Sequence, residues 1–439
     1  MNITTKKTAR NPRANYLGQH ILAKGVTTGT DSWESGINNN VLIFGPSGAG
    51  KTRHYVKPNI LNAHESLIVS DTKGSLVKEA GPQLKSRGYD VKVINFNDLQ
   101  SGCGYNPLDY IRYDEKTDAY SEQDIISLAC SLVPVSTKEP YWDLAARQYL
   151  EVLIGYVLEA LPQDEHTLEY VVKTMYLLGT PALDNLMLEL EALKPNCTTA
   201  VRYKAVKGIA RADRMDASIK GILSTNLDTL SFNDALALYK KPDRIDFGEL
   251  GRKKTAIFLT VSDTDRSMDK LAGAFVTQAL QCLCRSADRD CPENRLPVPV
   301  RFYLDDFATN LVIPDFDKII SVIRSREIYV SIILQSVTQL DSLYGTACAK
   351  TIINNCDQML YLGGQDVDTA RLISEKSNRP LHSILSMPLD KAYLFIRGRE
   401  PLLTEKYEAE KAPQSDALQA ENNADTYDID FDLEDGYPF

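Results

Sequence analysis

The sequence predicts an α/β fold, a parallel sheet with crossover helices into which an all-α segment is inserted. Three observations carry this. Short apolar runs alternate with helical stretches from Val41 onward, a Leu/Ala/Tyr-rich segment interrupts them over residues 115–240, and the alternation resumes at Thr255. Apolar runs of four to eight residues separated by helix-period text are the mark of βαβ units.

The first strands read as Val41-Leu42-Ile43-Phe44, Leu67-Ile68-Val69-Ser70 and Val91-Lys92-Val93-Ile94-Asn95-Phe96. The rhythm breaks near Pro107. Stretches such as Leu144-Ala145-Ala146-Arg147-Gln148-Tyr149-Leu150 then follow a 3.6-residue period with no convincing β run. Strand-like runs return at Thr255–Val261, Arg301–Asp306, Tyr329–Gln335, Met359–Leu362 and Ala392–Ile396. Cys282–Val300, with Pro292, Pro297 and Pro299, reads as a surface loop. The expected organisation is a basic polar arm (1–40), an α/β domain built from 41–114 and 241–411, an inserted all-α domain (115–240), and an acidic disordered tail (412–439).

Of 439 residues, 43% are hydrophobic and 25% charged, which suits a chain with a sizeable buried core. The formal charge is −10, but the tail alone carries eight carboxylates (Asp416, Glu421, Asp425, Asp428, Asp430, Asp432, Glu434, Asp435) and no Lys or Arg. The remainder is therefore nearly balanced, which excludes a bulk electrostatic attraction to nucleic acid and leaves only a local patch or pore. The most apolar stretch, Tyr149–Leu161, is interrupted by Glu151 and Glu159, so no transmembrane segment is expected. The N-terminus has no apolar core of a secretory signal. Cys282, Cys284 and Cys291 lack a zinc-site spacing, and the eight cysteines read as reduced thiols of a cytosolic protein.

Gly45-Pro46-Ser47-Gly48-Ala49-Gly50-Lys51-Thr52 fits the phosphate-loop pattern G-x-x-x-x-G-K-[ST]. Its glycines let the backbone wrap a phosphate with successive N–H groups, and the following helix adds its positive end. Lys51 is placed to bridge the β- and γ-phosphates of ATP, and the Thr52 hydroxyl to hold Mg2+. The pattern lies between an apolar strand and a helix-period segment, the context it requires. A second element must hold the metal and orient the attacking water. Phe302-Tyr303-Leu304-Asp305-Asp306 supplies it, with Asp305 toward Mg2+ and Asp306 toward the water. Gln335, ending the next strand, reads equally as a γ-phosphate sensor or a strand cap. Arg324 and Arg326 precede that strand, and in a ring such an arginine can reach a neighbour's nucleotide.

These motifs resemble the type IV coupling proteins of conjugation and type IV secretion, the TraG/TraD group, in the form found in Gram-positive mobile elements. The segments that carry the resemblance run from Phe44–Asn59 through Val69–Gly74, Gly88–Phe96 and Tyr105–Leu108 to Tyr141-Trp142. They continue through Leu304–Ala308, Ile313–Phe316, Arg324–Arg326, Gln335–Leu340 and Leu343–Gly345, in matching order over roughly 40–400. The resemblance implies a RecA-like motor domain with a membrane-distal all-α domain, assembled as a homo-hexamer around a pore. It implies ATP and Mg2+ as cofactors, and DNA (a single-stranded transfer intermediate), relaxase and relaxosome accessory proteins, and secretion-channel components as partners. By position it makes Lys51, Asp306, Arg324 and Gln335 catalytic, with Arg324 acting in trans, and it makes Asp71 and Lys73 secondary candidates. Two features depart from the family pattern: Asp306 stands where most members carry Glu, and the usual N-terminal membrane helices are missing. The latter predicts a cytoplasmic chain recruited to the inner face of the membrane by partners, or a truncated one.

Two functional classes follow. The leading one is an ATP-driven coupling protein with basic residues (Arg202, Lys204, Lys207, Arg211, Arg214, Lys220) available to DNA. The other is a nucleotide-binding docking platform for relaxosome proteins with little hydrolysis. A small-molecule P-loop kinase explains neither the helical insertion nor the segment from Gln335 to Leu343.

Overall fold

Runs of Val, Ile, Leu and Phe too short for helices line up as the strands of one central sheet. In a computed structural model, which describes residues 14–135, 140–209, 213–262, 264–305 and 312–408, the sheet has nine strands. They are β3 (Val41–Phe44), β4 (Ser66–Ser70), β5 (Asp90–Asn95), β8 (Thr255–Thr260), β9 (Val300–Leu304), β10 (Ile328–Leu334), β11 (Gln358–Tyr361), β12 (Lys391–Ile396) and β13 (Leu402–Glu405). Their order is β13-β12-β11-β3-β10-β9-β4-β8-β5. All pairs from β11 to β5 are parallel, while β12 and β13 close one edge antiparallel. This is the expected α/β class.

Period-2 alternation assigns the two faces. Leu42 and Phe44 of β3 join one core cluster, and Val41 and Ile43 join the other. The second face is covered by α1 (Lys57–Asn62) and α2 (Ser75–Ser86), which contribute Ile60, Leu76, Ala80 and Leu84. The first face carries α11 (Asp269–Asp290) and, continuous with it, the helical region between β5 and β8. Its longest helix, α4 (Pro140–Ala160), buries ten consecutive or near-consecutive positions from Ala146 to Leu158. Glu151 and Glu159 sit on its less buried face. No helix among the described residues is long and apolar enough to cross a membrane.

Three local expectations are corrected. Residues 19–29, read as part of an irregular arm, form a hairpin of β1 (Gln19–Ala23) and β2 (Val26–Gly29). Asn59 of α1 holds that hairpin through Ile21 N–H and Ile21 O, each at 2.8 Å. The segment from Cys282 is helical as far as Asp290 and only then becomes the proline-rich connection. β6 (Tyr113–Asp114) and β7 (Ala119–Tyr120) pair as a two-residue ladder at the entrance to the helical region. The arm before residue 14 and the acidic tail lie outside the described residues. All eight cysteines are free thiols.

Arg301, in mid-β9, is fully buried. Its guanidinium pairs with Glu65 and donates to Asn39 O at 2.8 Å. A charge at that depth is tolerated because it is paired and hydrogen-bonded.

Candidate nucleotide site

The loop Gly45–Thr52 leaves the C-terminal end of β3 and is tied to both flanking strands at its root. Gly45 N–H donates to Leu334 O of β10 at 3.1 Å, and Leu362 N–H after β11 donates to Phe44 O at 2.8 Å. Gly48 (φ +80°) and Gly50 (φ +83°) hold left-handed backbone, and an Ala49 N–H to Pro46 O bond of 3.1 Å closes the turn between them. A Cβ on Gly50 would collide with the His54 imidazole. Any other residue there must displace that ring as well as hold a strained left-handed φ.

The helix that follows opens as a π-type turn, Thr52–Val56, before α1. Pro58 gives a physical reason, since it has no N–H to offer one turn back, and Lys57 N–H bonds instead to Thr52 O five residues earlier.

Lys51 is 8% exposed, and its ammonium donates to Gly45 O at 2.9 Å and Pro46 O at 3.3 Å. Thr52 Oγ1 donates to Asp305 Oδ2 at 2.9 Å. The sheet order explains that meeting: β10 alone separates β3, which delivers the loop, from β9, which ends one residue before Asp305. Ser70 Oγ at the end of β4 donates to Asp305 O at 3.3 Å and steadies the turn. A threonine hydroxyl and a carboxylate are the hard oxygen donors that Mg2+ takes along with water and phosphate. The residues fit the metal and a nucleotide phosphate. Asp306 lies outside the described residues.

Gln335 follows β10 and so stands between the loop and Asp305 at the same sheet edge. It is exposed, its N–H donates to Gln339 Oε1 at 2.9 Å, and with Pro46, Tyr361 and Gly364 it lines a cleft of about 270 Å³. Arg324 is at the opposite end of the strands, in the turn before β10, whose seven residues at about 3.3 Å each put roughly 20 Å between the two ends. Its Nη2 donates to Ser32 O at 2.8 Å. Arg326 is paired with Asp288 at 2.8 and 2.9 Å.

Asp71 is turned to another task. It is buried, and its carboxylate accepts from Ser75 N–H and Val77 N–H at 3.1 Å, capping the start of α2. Burial pushes its pKa above the ordinary value despite those bonds. Lys73 is exposed. Most of the basic residues considered for DNA are already engaged. Arg202 holds Glu122 and Glu151, Lys204 holds Glu191, Lys207 holds Asp184, and Lys220 donates to Tyr176 O at 2.6 Å. Arg211 and the Arg214 side chain are outside the described residues.

The sequence reading missed the C-terminal flank of the loop. Lys406 donates to Ala49 O at 3.1 Å, and His54 Nδ1–H to Tyr407 O at 2.7 Å. No local signal marks a lysine beyond the last strand as part of a loop 357 residues away.

A glycine loop closing one parallel strand, an aspartate closing the next strand but one, and a polar residue between them define a P-loop nucleotide-binding fold of the RecA-like kind. The chain belongs to the type IV secretory system conjugative DNA transfer family, whose model matches residues 3–379. It is 24% identical over 361 residues to an Escherichia coli protein described as conjugal transfer protein TraG, covering 76% of this chain and 54% of that protein. A second Escherichia coli TraG is 27% identical over 212 residues, 46% of this chain and 31% of that one. The chain thus spans about half the length, or less, of these curated relatives. Among solved structures, the bacterial conjugative coupling protein TrwBdeltaN70 in its unbound form superposes with a TM-score of 0.65 at 17% identity, covering 90% of this chain and 89% of that one. The plasmid coupling protein TrwB in complex with ADP and Mg2+ gives 0.64 at 18% over 91% and 92%. VirB4 of Thermoanaerobacter pseudethanolicus gives 0.55 at 15% over 90% and 98%. At these identities the likeness is one of fold.

Proposed function

We propose that this chain is the ATP-driven coupling protein of a conjugative DNA transfer system. It binds ATP and Mg2+ on Gly45–Thr52 and Asp305, hydrolyses ATP with Asp306 orienting the water, and uses the cycle to pass relaxase-bound DNA toward a secretion channel. The observation that supports the reading is the 2.9 Å bond between Thr52 and Asp305, the two oxygen donors that the reading assigns to magnesium. Family membership supports the transfer role, and the nucleotide complex of TrwB supports the ligand. In the assembled state the chain forms a hexameric ring in which Gln335 senses the γ-phosphate in cis. Arg324, at the opposite end of the strands, serves the adjacent subunit. The helical segment 115–240 and the tail receive relaxosome proteins, and partners bring the ring to the membrane.

The test is ATP hydrolysis with and without single-stranded DNA, in the wild type and in Lys51→Ala. DNA-stimulated turnover that disappears in the variant is expected. Turnover indifferent to DNA would sink the motor reading. Tight Mg2+–nucleotide binding without turnover, in both the wild type and Asp306→Glu, would instead favour a docking platform.

A further inference from the structure

The Ala49–Gly50 peptide turns about ψ of Ala49 and φ of Gly50, and Gly50 stands in left-handed backbone (φ +83°) that glycine alone adopts freely. A trans peptide is planar, with C=O and N–H pointing opposite ways. Whatever grips Ala49 O therefore aims Gly50 N–H in the other direction, and a loop of this kind works only while such N–H groups face the phosphate. Lys406 is that grip, at 3.1 Å. Neither Gly48 N–H nor Gly50 N–H has a backbone or side-chain acceptor among the described residues, as groups reserved for a ligand should not.

Lys406 is itself firmly held. Its N–H donates to Asp390 O at 2.9 Å, and Tyr407 O next to it accepts from His54. Glu405 before it takes Lys24 at 2.6 Å and Lys391 at 3.3 Å. The side chain is 8% exposed, like that of Lys51, and forms no ion pair with a carboxylate among the described residues. Two buried ammoniums with only loop carbonyls as acceptors flank one anion cradle. Burial lowers the pKa of Lys406, with Asp390 partly opposing.

We propose that Lys406 is a positioning residue of the phosphate site: its hydrogen bond to Ala49 O locks the Ala49–Gly50 peptide with Gly50 N–H turned toward the nucleotide's β-phosphate. The inference rests on the nucleotide-binding reading of the loop and adds to it a residue from the far end of the chain. Because the β-phosphate is common to both nucleotides, Lys406 should matter alike for ADP and for a non-hydrolysable ATP analogue.

The experiment is titration of the full chain with fluorescent ADP and with the ATP analogue, both with Mg2+, for Lys406→Met, Lys406→Gln and Lys406→Arg. Losing a hydrogen bond from a charged donor at a ligand site is worth roughly tenfold or more in affinity. Lys406→Met is expected to weaken both ligands about tenfold by that measure, Gln less, and Arg only slightly, with the nucleotide-free unfolding midpoint within a few degrees of wild type. Should the Met variant fail to fold, the Gln–Arg comparison decides on the same terms. Wild-type affinity in Met or Gln, or an Arg variant as weak as Gln, would overturn the proposal and leave Lys406 a structural tie. A wild-type chain that binds neither nucleotide would instead overturn the nucleotide reading itself.

Discussion

Thr52 and Asp305 are 253 positions apart in sequence and share a 2.9 Å hydrogen bond in space. The bond exists because β3 and β9 run parallel on either side of β10 and release their following residues at one sheet edge. The Thr52 hydroxyl proton points at Asp305, and on the proposed reading a metal ion on Thr52 Oγ1 and Asp305 would turn it aside.

Asp305→Asn tests that arrangement. The amide oxygen still accepts from Thr52, so folding should be unchanged, but the anionic donor to the metal is lost. Titrations of ADP with Mg2+ and with EDTA should differ in the wild type and converge in the variant, with turnover falling about a hundredfold or more by analogy with other charge-stabilising groups. Retained Mg2+ dependence would show that Asp305 does not serve the ion.

The two left-handed glycines of the loop should differ sharply on substitution. Gly48→Ala meets no atom within 4 Å, so its cost is backbone strain alone, about 1 to 2 kcal/mol. Gly50→Ala carries the same strain and also strikes His54. Urea unfolding should rank Gly50→Ala clearly below Gly48→Ala, and adding His54→Ala should recover the difference but not the strain. Equal stability of the two single variants would contradict the loop geometry.

What the sequence disclosed was whatever is encoded locally. The phosphate loop is eight contiguous residues, the strands alternate over four to seven, and the order of the motifs along the chain pointed to the family that the match over residues 3–379 establishes. What escaped depends on distant partners. Ile21-Leu22-Ala23 is an apolar run too short, between Gln19-His20 and Lys24-Gly25, to mark a strand by itself, yet His20 and Ile21 dock on Tyr55 and Asn59. The end of α11 reads as loop because Arg285, Ser286, Asp288 and Arg289 are polar and prolines follow, whereas its buried stripe (Leu283, Ser286, Ala287) still faces the core. Arg301 would pass for a solvated strand residue until Glu65 is seen beside it. Composition could not tell that Arg202, Lys204 and Lys207 are already paired with carboxylates of neighbouring helices.

His20 predicts an acid-side loss of stability. Its ring is 4% exposed, with Nε2 2.7 Å from Tyr55 Oη, and burial first, then Arg301, hold its pKa well below 6.5. Below 6.5 the unfolded chain takes up a proton that the folded chain refuses. Stability from this group is therefore full above that pH and declines as pH falls beneath it, by about 1.4 kcal/mol per unit. Urea midpoints of wild type and His20→Gln between pH 7.5 and 5 should converge toward acid. Parallel curves would mean that His20 titrates normally in the fold.

Arg324 and Lys51 allow a test of shared sites that needs no structure of a ring. Within one subunit they lie at opposite ends of the neighbouring strands β3 and β10, so no single chain can bring them to one phosphate. Lys51→Ala spoils a subunit's own loop but keeps its arginine, while Arg324→Ala keeps the loop and loses the arginine. If each site is completed by a neighbour, both variants are inactive alone, and Arg324→Ala retains wild-type ADP affinity. Mixing them should then restore turnover to roughly a quarter of the wild-type rate at equal amounts, since one interface in four pairs an intact loop with an intact arginine when loss at each is complete, as the large trans-arginine effects in related phosphoryl transfer imply. An inactive mixture, or an Arg324→Ala protein as active as wild type, would remove Arg324 from the reaction.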